Sequence, residues 1–244
     1  MEHKMVQDYF MQEEVVNHYK ESVSRVGLWI SEKVILTRFF SVENNLLEIG
    51  CGAGRISIGL WELNFRNLTG IDYSLDMVKE AQKINKTLKY GIQFKKGNAL
   101  HLKFTDQFFD RVIFGFNGMM QIPGRDSRKK VMTEVFRVLK PNHFFLFTTH
   151  DRNLSKHHRF WQKEKQLWRK GKQNPLVDDF GDRYAETPHG KMFMHVPTPS
   201  EIRQDLKEAG FSVQADALRS SIANEPEKVR HFSDECRFWV AKKK

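Results

Sequence analysis

Short apolar runs alternate along the chain with stretches whose apolar positions recur at helical spacing. Residues 46–49 (Leu-Leu-Glu-Ile) predict a short buried strand that ends in a glycine cluster, and a helix follows over 55–64. Residues 68–72 predict a second strand, after which Ser74 caps a helix reaching about residue 87. Strands over 92–96 and 109–114 come next, then a helix over 126–140 stopped by Pro141, then a fifth strand over 144–148. This alternation is the pattern of a doubly wound, mostly parallel α/β sheet. Ahead of it lies an N-terminal helical segment, residues 1–40. Its pattern is clear over 5–40, with Ser31 as an N-cap and Val34, Ile35, Arg38 and Phe39 on one face.

The alternation breaks at Asp151. Residues 151–172 read as a basic helix and 173–197 as loop or irregular structure. Thr198-Pro199-Ser200-Glu201 is a capping box with proline at the first helical position, and that helix ends at Gly210. Two last strands, 211–218 and 236–241, close the sheet edge as a hairpin whose loop is unusually long. No internal repeat or low-complexity linker divides the chain, so residues 1–244 read as one domain carrying an insertion at 151–197.

Composition supports a packed core: 40% of the 244 residues are apolar, 20 of them phenylalanine. No apolar run approaches the ~20 residues of a membrane helix. The first residues lack the layout of a signal peptide, and two cysteines fit a reducing compartment, so a cytoplasmic protein with no membrane partner is expected. The net charge of +10 favours an acidic partner.

The chemistry centres on Glu48-Ile49-Gly50-Cys51-Gly52-Ala53-Gly54, between a strand and a helix. Glycines there allow a tight turn and close approach of the backbone to a ligand. The dinucleotide fingerprint would need its third glycine where Arg55 stands, and a P-loop would need Gly-Lys-Ser/Thr. Glu48 would repel a pyrophosphate and suits a positively charged ligand. S-adenosylmethionine is such a ligand, with an ammonium, a sulfonium and no phosphate. Asp72, at the end of the second strand, can accept from both ribose hydroxyls; its alternative role as a helix cap is already filled by Ser74.

These motifs resemble the class I S-adenosylmethionine-dependent methyltransferases. Residues 46–55 resemble the family's first motif and Gly70-Ile71-Asp72-Tyr73-Ser74 with Met77 its second. Gly97-Asn98-Ala99 stands at the third, Phe108-Phe109-Asp110 opens the fourth strand, and Arg137-Val138-Leu139-Lys140-Pro141 precedes the fifth. The resemblance covers about residues 40–150. It implies a Rossmann-like seven-stranded sheet with the last strand antiparallel, and a cofactor lying across the C-terminal ends of the first four strands. The implied cofactor contacts are Glu48, Gly50, Cys51, Gly52, Gly54, Asp72, Tyr73, Met77, Asn98, Ala99 and Phe116. Two positions depart from the pattern. Asn98 replaces the usual Asp, so its side-chain carbonyl or the Ala99 backbone must meet the adenine. Pro141-Asn142-His143 replaces Pro-Gly-Gly, a turn that asparagine can still make.

The resemblance also implies that the methyl group arrives already activated, so the enzyme needs chiefly to align an acceptor in line with it and exclude water. A base helps only where the acceptor must lose a proton. Asn117, after the fourth strand, is the candidate to orient an acceptor, and His150, after the fifth, the candidate base. Each has a plain alternative: a turn residue for Asn117 and a structural histidine for His150. His101 is a weaker candidate. Cys51 fills a position that needs a small residue, and no metal set is read from the histidine spacing.

Residues 151–175 hold eight Lys or Arg against Asp151 and Glu164, with Phe160, Trp161 and Trp168 interleaved. Basic residues with aromatics suit nucleic acid. The Leu154/Trp161/Trp168 spacing equally suits one apolar helix face laid on the body beneath a solvated basic face. An insertion here is expected to cover the acceptor as a lid. A small-molecule acceptor is the first reading. RNA, above all tRNA, is the second, and a non-catalytic S-adenosylmethionine-binding module the third.

Overall fold

A computed structural model describes residues 2–244. Three helices, α1 (Glu2–Phe10), α2 (Glu13–Arg25) and α3 (Ile30–Phe39), precede β1 (Leu46–Ile49), α4 (Arg55–Glu62), β2 (Leu68–Asp72), α5 (Leu75–Leu88), β3 (Gln93–Lys96) and β4 (Phe109–Phe114). Then come a single 3-10 turn (Gly118–Gln121), α6 (Arg125–Val138) and β5 (Leu139–Thr149). The insertion supplies α7 (His158–Arg169), β6 (Asp182–Thr187) and β7 (Gly190–His195). The chain finishes with α8 (Pro199–Glu208), β8 (Phe211–Leu218), α9 (Arg219–Ile222), α10 (Glu227–Phe232) and β9 (Arg237–Lys243).

Seven strands form one sheet in the order β3-β2-β1-β4-β5-β9-β8. β9 runs antiparallel to both β5 and β8, and the pairs from β3 through β5 are parallel. Because strand side chains alternate between faces, each central strand feeds two cores. Leu46, Ile113, Leu146 and Val240 pack on one side with Trp29, Leu60 and Phe94. Their neighbours Leu47, Val112, Phe145 and Ala241 pack on the other with Val131, Val135 and Leu206. The doubly wound, Rossmann-like sheet with its last strand antiparallel therefore stands as expected.

Four local expectations are corrected. Ser31 does not cap α3: Trp29 holds that position in extended conformation. Glu225 accepts the Ile30 and Ser31 N–H groups at 3.0 and 2.7 Å, and Glu32 accepts that of Trp29 at 2.8 Å. The buried face of α3 is accordingly Ser31, Glu32, Ile35 and Leu36, while Val34 is exposed. Next, α6 stops at Val138, and Pro141 lies inside β5 instead of ending the helix. A residue before proline favours extended backbone, so the strand begins ahead of it. Asn142 there takes φ +65°, the conformation glycine would have supplied. Third, residues 173–197 are not all irregular: β6 and β7 form an antiparallel hairpin with Asp182 opposite His195. Finally, the long loop before β9 carries α9 and α10.

Buried ion pairs seat these parts. Arg55, at the start of α4, donates to both oxygens of Glu32 on α3, at 2.6 and 2.7 Å, and to the Gly27 carbonyl at 2.8 Å. Its guanidinium lies 4.9 Å from the Trp29 ring. The insertion is held by Arg128–Asp179 at 3.1 Å and Arg152–Glu201, and within it His195 Nδ1 meets Asp182 at 2.7 Å. Removing one partner of a buried pair strands the other charge, which costs ~3–5 kcal/mol. Arg55→Met is therefore expected to lower unfolding free energy by about that amount, read from the urea midpoint at unchanged m-value.

Candidate functional site

The turn from β1 into α4 passes through three glycines in left-handed conformation, Gly50 at φ +64°, Gly52 at +53° and Gly54 at +94°. A Cβ on Gly50 would stand 2.8 Å from the Phe114 ring, so the turn admits no side chain there. Two carboxylates hold it. Glu48, buried at the end of β1, accepts the Ser57 N–H at 2.9 Å and the Ser57 hydroxyl. Burial pushes its carboxyl up to about 8. Asp72, at the end of β2, accepts the Gly52 N–H on one oxygen and the Ser74 N–H on the other, each at 2.8 Å. Burial raises its pKa as well. The Tyr73 N–H bears on the same carboxylate, so three backbone donors hold it and part of its acceptor capacity is left for a ligand.

Beside this turn lies a cavity of about 280 Å³. Its walls include Glu48, Gly50, Cys51, Gly52, Asp72, Tyr73, Met77, Asn98, Ala99 and Phe116, ten of the eleven residues expected to meet a cofactor. The eleventh, Gly54, opens α4 and does not line it. Burial drives the Cys51 thiol up, which keeps it protonated and unreactive. The Asn98 carbonyl already accepts the Leu100 N–H at 2.9 Å.

Neither Asn117, expected to orient an acceptor, nor His150, expected as a base, lines the cavity. Asn117 has φ +60° and gives its N–H to the Thr148 hydroxyl at 2.8 Å. His150 is paired through Nδ1 with the Glu235 carbonyl at 2.8 Å, and burial lowers its pKa. That carbonyl can only accept, so Nδ1 carries the proton.

The roof comes from residues the sequence did not mark: Val6, Gln7 and Phe10 of α1, and Tyr19 and Ser22 of α2. The signal available was the i, i+4 pair Val6 and Phe10, which reads equally well as core. Burial raises the Tyr19 pKa, and the nearby Tyr9 and Asp72 add to it. The insertion contributes no lining residue; it buttresses the roof from outside. The Tyr9 and Thr187 hydroxyls meet at 3.2 Å, the Tyr184 hydroxyl reaches Met5 Sδ at 3.8 Å, and Gln121 Nε2 donates to Met192 Sδ at 3.4 Å. Trp161 is buried against Met120, Val196 and Phe180, so the expected apolar face of α7 does lie on the body.

The glycine turn and Asp72 meet at the strand ends of a sheet in the strand order of the methyltransferase-like fold. Residues 41–210 match the family described as Methyltransferase domain, and the chain belongs to that family, whose class I members use S-adenosylmethionine as methyl donor. The demethylmenaquinone methyltransferase of Lactobacillus johnsonii is 38% identical over 100 residues, which span 39% of this chain and 39% of that protein. Matches to the curated relatives thus cover less than half of their length. A SAM-dependent methyltransferase from Methanosarcina mazei has the same fold at TM-score 0.68 and 23% identity, covering 86% of this chain and 96% of that one. The cyclase SpnF also reaches 0.68, at 16% identity, over 100% of this chain and 97% of its own. At such identities the likeness is one of fold, and a fold hosts more than one reaction.

The raised Glu48 carboxyl has a consequence for stability. Between its ordinary value of 4.5 and about 8 the unfolded chain binds fewer protons at this group than the folded one. Stability from this group is therefore full at low pH and falls as pH rises through that window. Glu48→Gln keeps an acceptor for Ser57 and removes the titration. Its stability relative to the unsubstituted protein is expected to improve from about pH 5.5 to about pH 8, checked by urea unfolding at both.

Proposed function

We propose that this protein transfers the methyl group of S-adenosylmethionine to a small, largely apolar acceptor bound beneath the N-terminal helices. The observation that carries this reading is Asp72. It is tied to the glycine turn and to Ser74 through both oxygens, with the Tyr73 N–H also bearing on it, and it lines the cavity where vicinal hydroxyls can use its remaining acceptor capacity. The donor set fits a ribose, and the left-handed glycines keep the turn clear of side chains for the ligand's backbone-facing edge. The cofactor, when bound, supplies a methyl group activated by a sulfonium.

The chain's own residues bind and orient. Asp72, with Tyr73, Met77, Asn98 and Ala99, takes the nucleoside end; Gly50, Cys51, Gly52 and Phe116 shape the methionine end. Gly54 sets the start of α4, and Glu48 acts through Ser57. Val6, Phe10, Ile122 and Pro123 offer the acceptor an apolar surface and exclude water. Arg55 is the cation in the cavity wall, and Glu32 already holds it, so the wall has no free charge for a phosphate. This favours a small molecule over RNA, and the demethylmenaquinone methyltransferase relatives support the same choice. Asn117 and His150 stand outside the wall. The acceptor suited to this site is therefore one whose electron-rich carbon or acidic hydroxyl needs no protein base.

Isothermal calorimetry with S-adenosylhomocysteine and with NAD tests the cofactor, and release of S-adenosylhomocysteine from a panel of quinols, phenols and tRNA tests the acceptor. Asp72→Asn replaces charge-assisted bonds, each worth ~1.5–3 kcal/mol, with weaker ones, so affinity is expected to fall about tenfold or more in a folded variant. Heat from NAD with none from S-adenosylhomocysteine would refute the reading.

A further inference from the structure

We propose that the outward face of α7 docks the protein on an anionic phospholipid bilayer, from which an apolar acceptor is delivered to the roofed cavity. The delivery part rests on the small apolar acceptor proposed above; the docking part does not.

Burial of Trp161 fixes which side of α7 faces out. On the opposite side Arg159, Lys163, Gln166 and Lys170 recur at i, i+4, i+7 and i+11, all exposed. Lys165 and Arg169 are exposed too, but at i+4 and i+8 from Trp161 they stand nearer its side of the helix than this ridge, and Lys172 lies beyond the helix end. Among the described residues, none of these six cationic side chains has an ion pair or hydrogen bond. Some surface lysines elsewhere pair, such as Lys20 with Glu80 and Lys129 with Glu208, and others, such as Lys83, Lys86 and Lys95, do not. Glu164 is turned partly inward, and its charge acts on Arg183. The side opposite Trp161 thus carries three cations without an ion-pair partner, Arg159, Lys163 and the C-cap Lys170.

At its flank Phe160 is 37% exposed. A basic ridge with an aromatic at its flank is the composition of an interfacial helix, which lies on a bilayer with cations at the headgroups. Peripheral attachment of this kind needs no spanning helix, and no described helix is long and apolar enough to be one.

The face connects to the cavity. The Arg183 guanidinium lies 4.7 Å from the Phe160 ring, and the next residue, Tyr184, reaches Met5 of α1. Val6 and Phe10 of that helix line the roof. A surface seated on α7 therefore touches the same hairpin that supports the roof. An acceptor that fits an apolar cavity partitions into a bilayer, so docking there raises its local concentration at the entrance. RNA fits less well: its target base would have to reach a cavity whose cationic wall residue is already neutralised by Glu32.

The test is co-sedimentation of the full chain with phosphatidylcholine vesicles, with and without phosphatidylglycerol, at low and high salt. Binding is expected only with phosphatidylglycerol and is lost at high salt. Each neutralised cation at such a surface changes partitioning about fivefold, so Lys163→Gln with Lys170→Gln should weaken binding roughly 30-fold. Phe160→Ala should weaken it without altering the salt dependence. Calorimetry with S-adenosylhomocysteine on each variant confirms folding and is expected to be unchanged. No binding to anionic vesicles at low salt, or equal binding by the double variant, overturns the proposal. Salt-dependent retention of tRNA without vesicle binding overturns it in favour of RNA. A protein that docks on vesicles but gives no heat with S-adenosylhomocysteine would sink the proposed function and leave the docking face standing.

Discussion

Three left-handed glycines within five residues bend the chain between β1 and α4, and the rest of the site depends on that bend being held. Nothing in the glycines themselves holds it, since they are the residues with the most conformational freedom to lose. Two buried carboxylates do. Glu48 fastens the first turn of α4 through Ser57, and Asp72 fastens Gly52 from the neighbouring strand. Burial opposes the charge on both groups, and the backbone N–H groups they accept offset part of that cost. Asp72 is thereby fixed in position before any ligand arrives, which is what a recognition group requires.

The same bend ties the core to the roof. Arg55 begins α4 immediately after Gly54, and its paired guanidinium reaches back to Glu32 and Gly27, while Trp29 and Phe116 stack around it. Phe116 in turn meets Tyr19 at 5.8 Å and Phe232 at 4.8 Å between ring centroids. Helices from the first thirty residues and from α10 are therefore packed through one aromatic cluster onto the floor of the cavity. The roof over the cavity and the turn beneath it are mechanically one unit.

The insertion does not line the cavity. It is seated by ion pairs to α6 and α8, and presses the hairpin against α1. Its apolar stripe and its basic ridge are both real features of α7, and they serve opposite sides of the helix. The choice between a packed helix and a charged surface was never exclusive, because a helix has two faces.

How much of this could be read in advance follows from which interactions are local. The strands of the sheet, the glycine turn, Asp72 and the capping box at Thr198 are written in adjacent residues, so spacing alone located them, and ten of eleven expected contacts meet at one cavity. Nonlocal partners decided the rest. Ser31 resembles a cap, but Glu225, 194 residues away, takes its N–H. Pro141 resembles a helix stop, but pairing with β4 draws the chain into a strand ahead of it. The β6–β7 hairpin has little alternation of its own and is stabilised by packing on α1 and the 3-10 turn. Asn117 and His150 sit at the right places along the chain, yet backbone geometry and the Glu235 carbonyl turn them from the cavity. The sequence by itself determined the fold and brought the glycine turn, Asp72 and Asn98 to one cavity, because a turn, a strand end and a cap are short-range arrangements. Only the tertiary structure decided what closes the acceptor end, because Val6, Phe10 and Tyr19 reach it through packing across the whole chain.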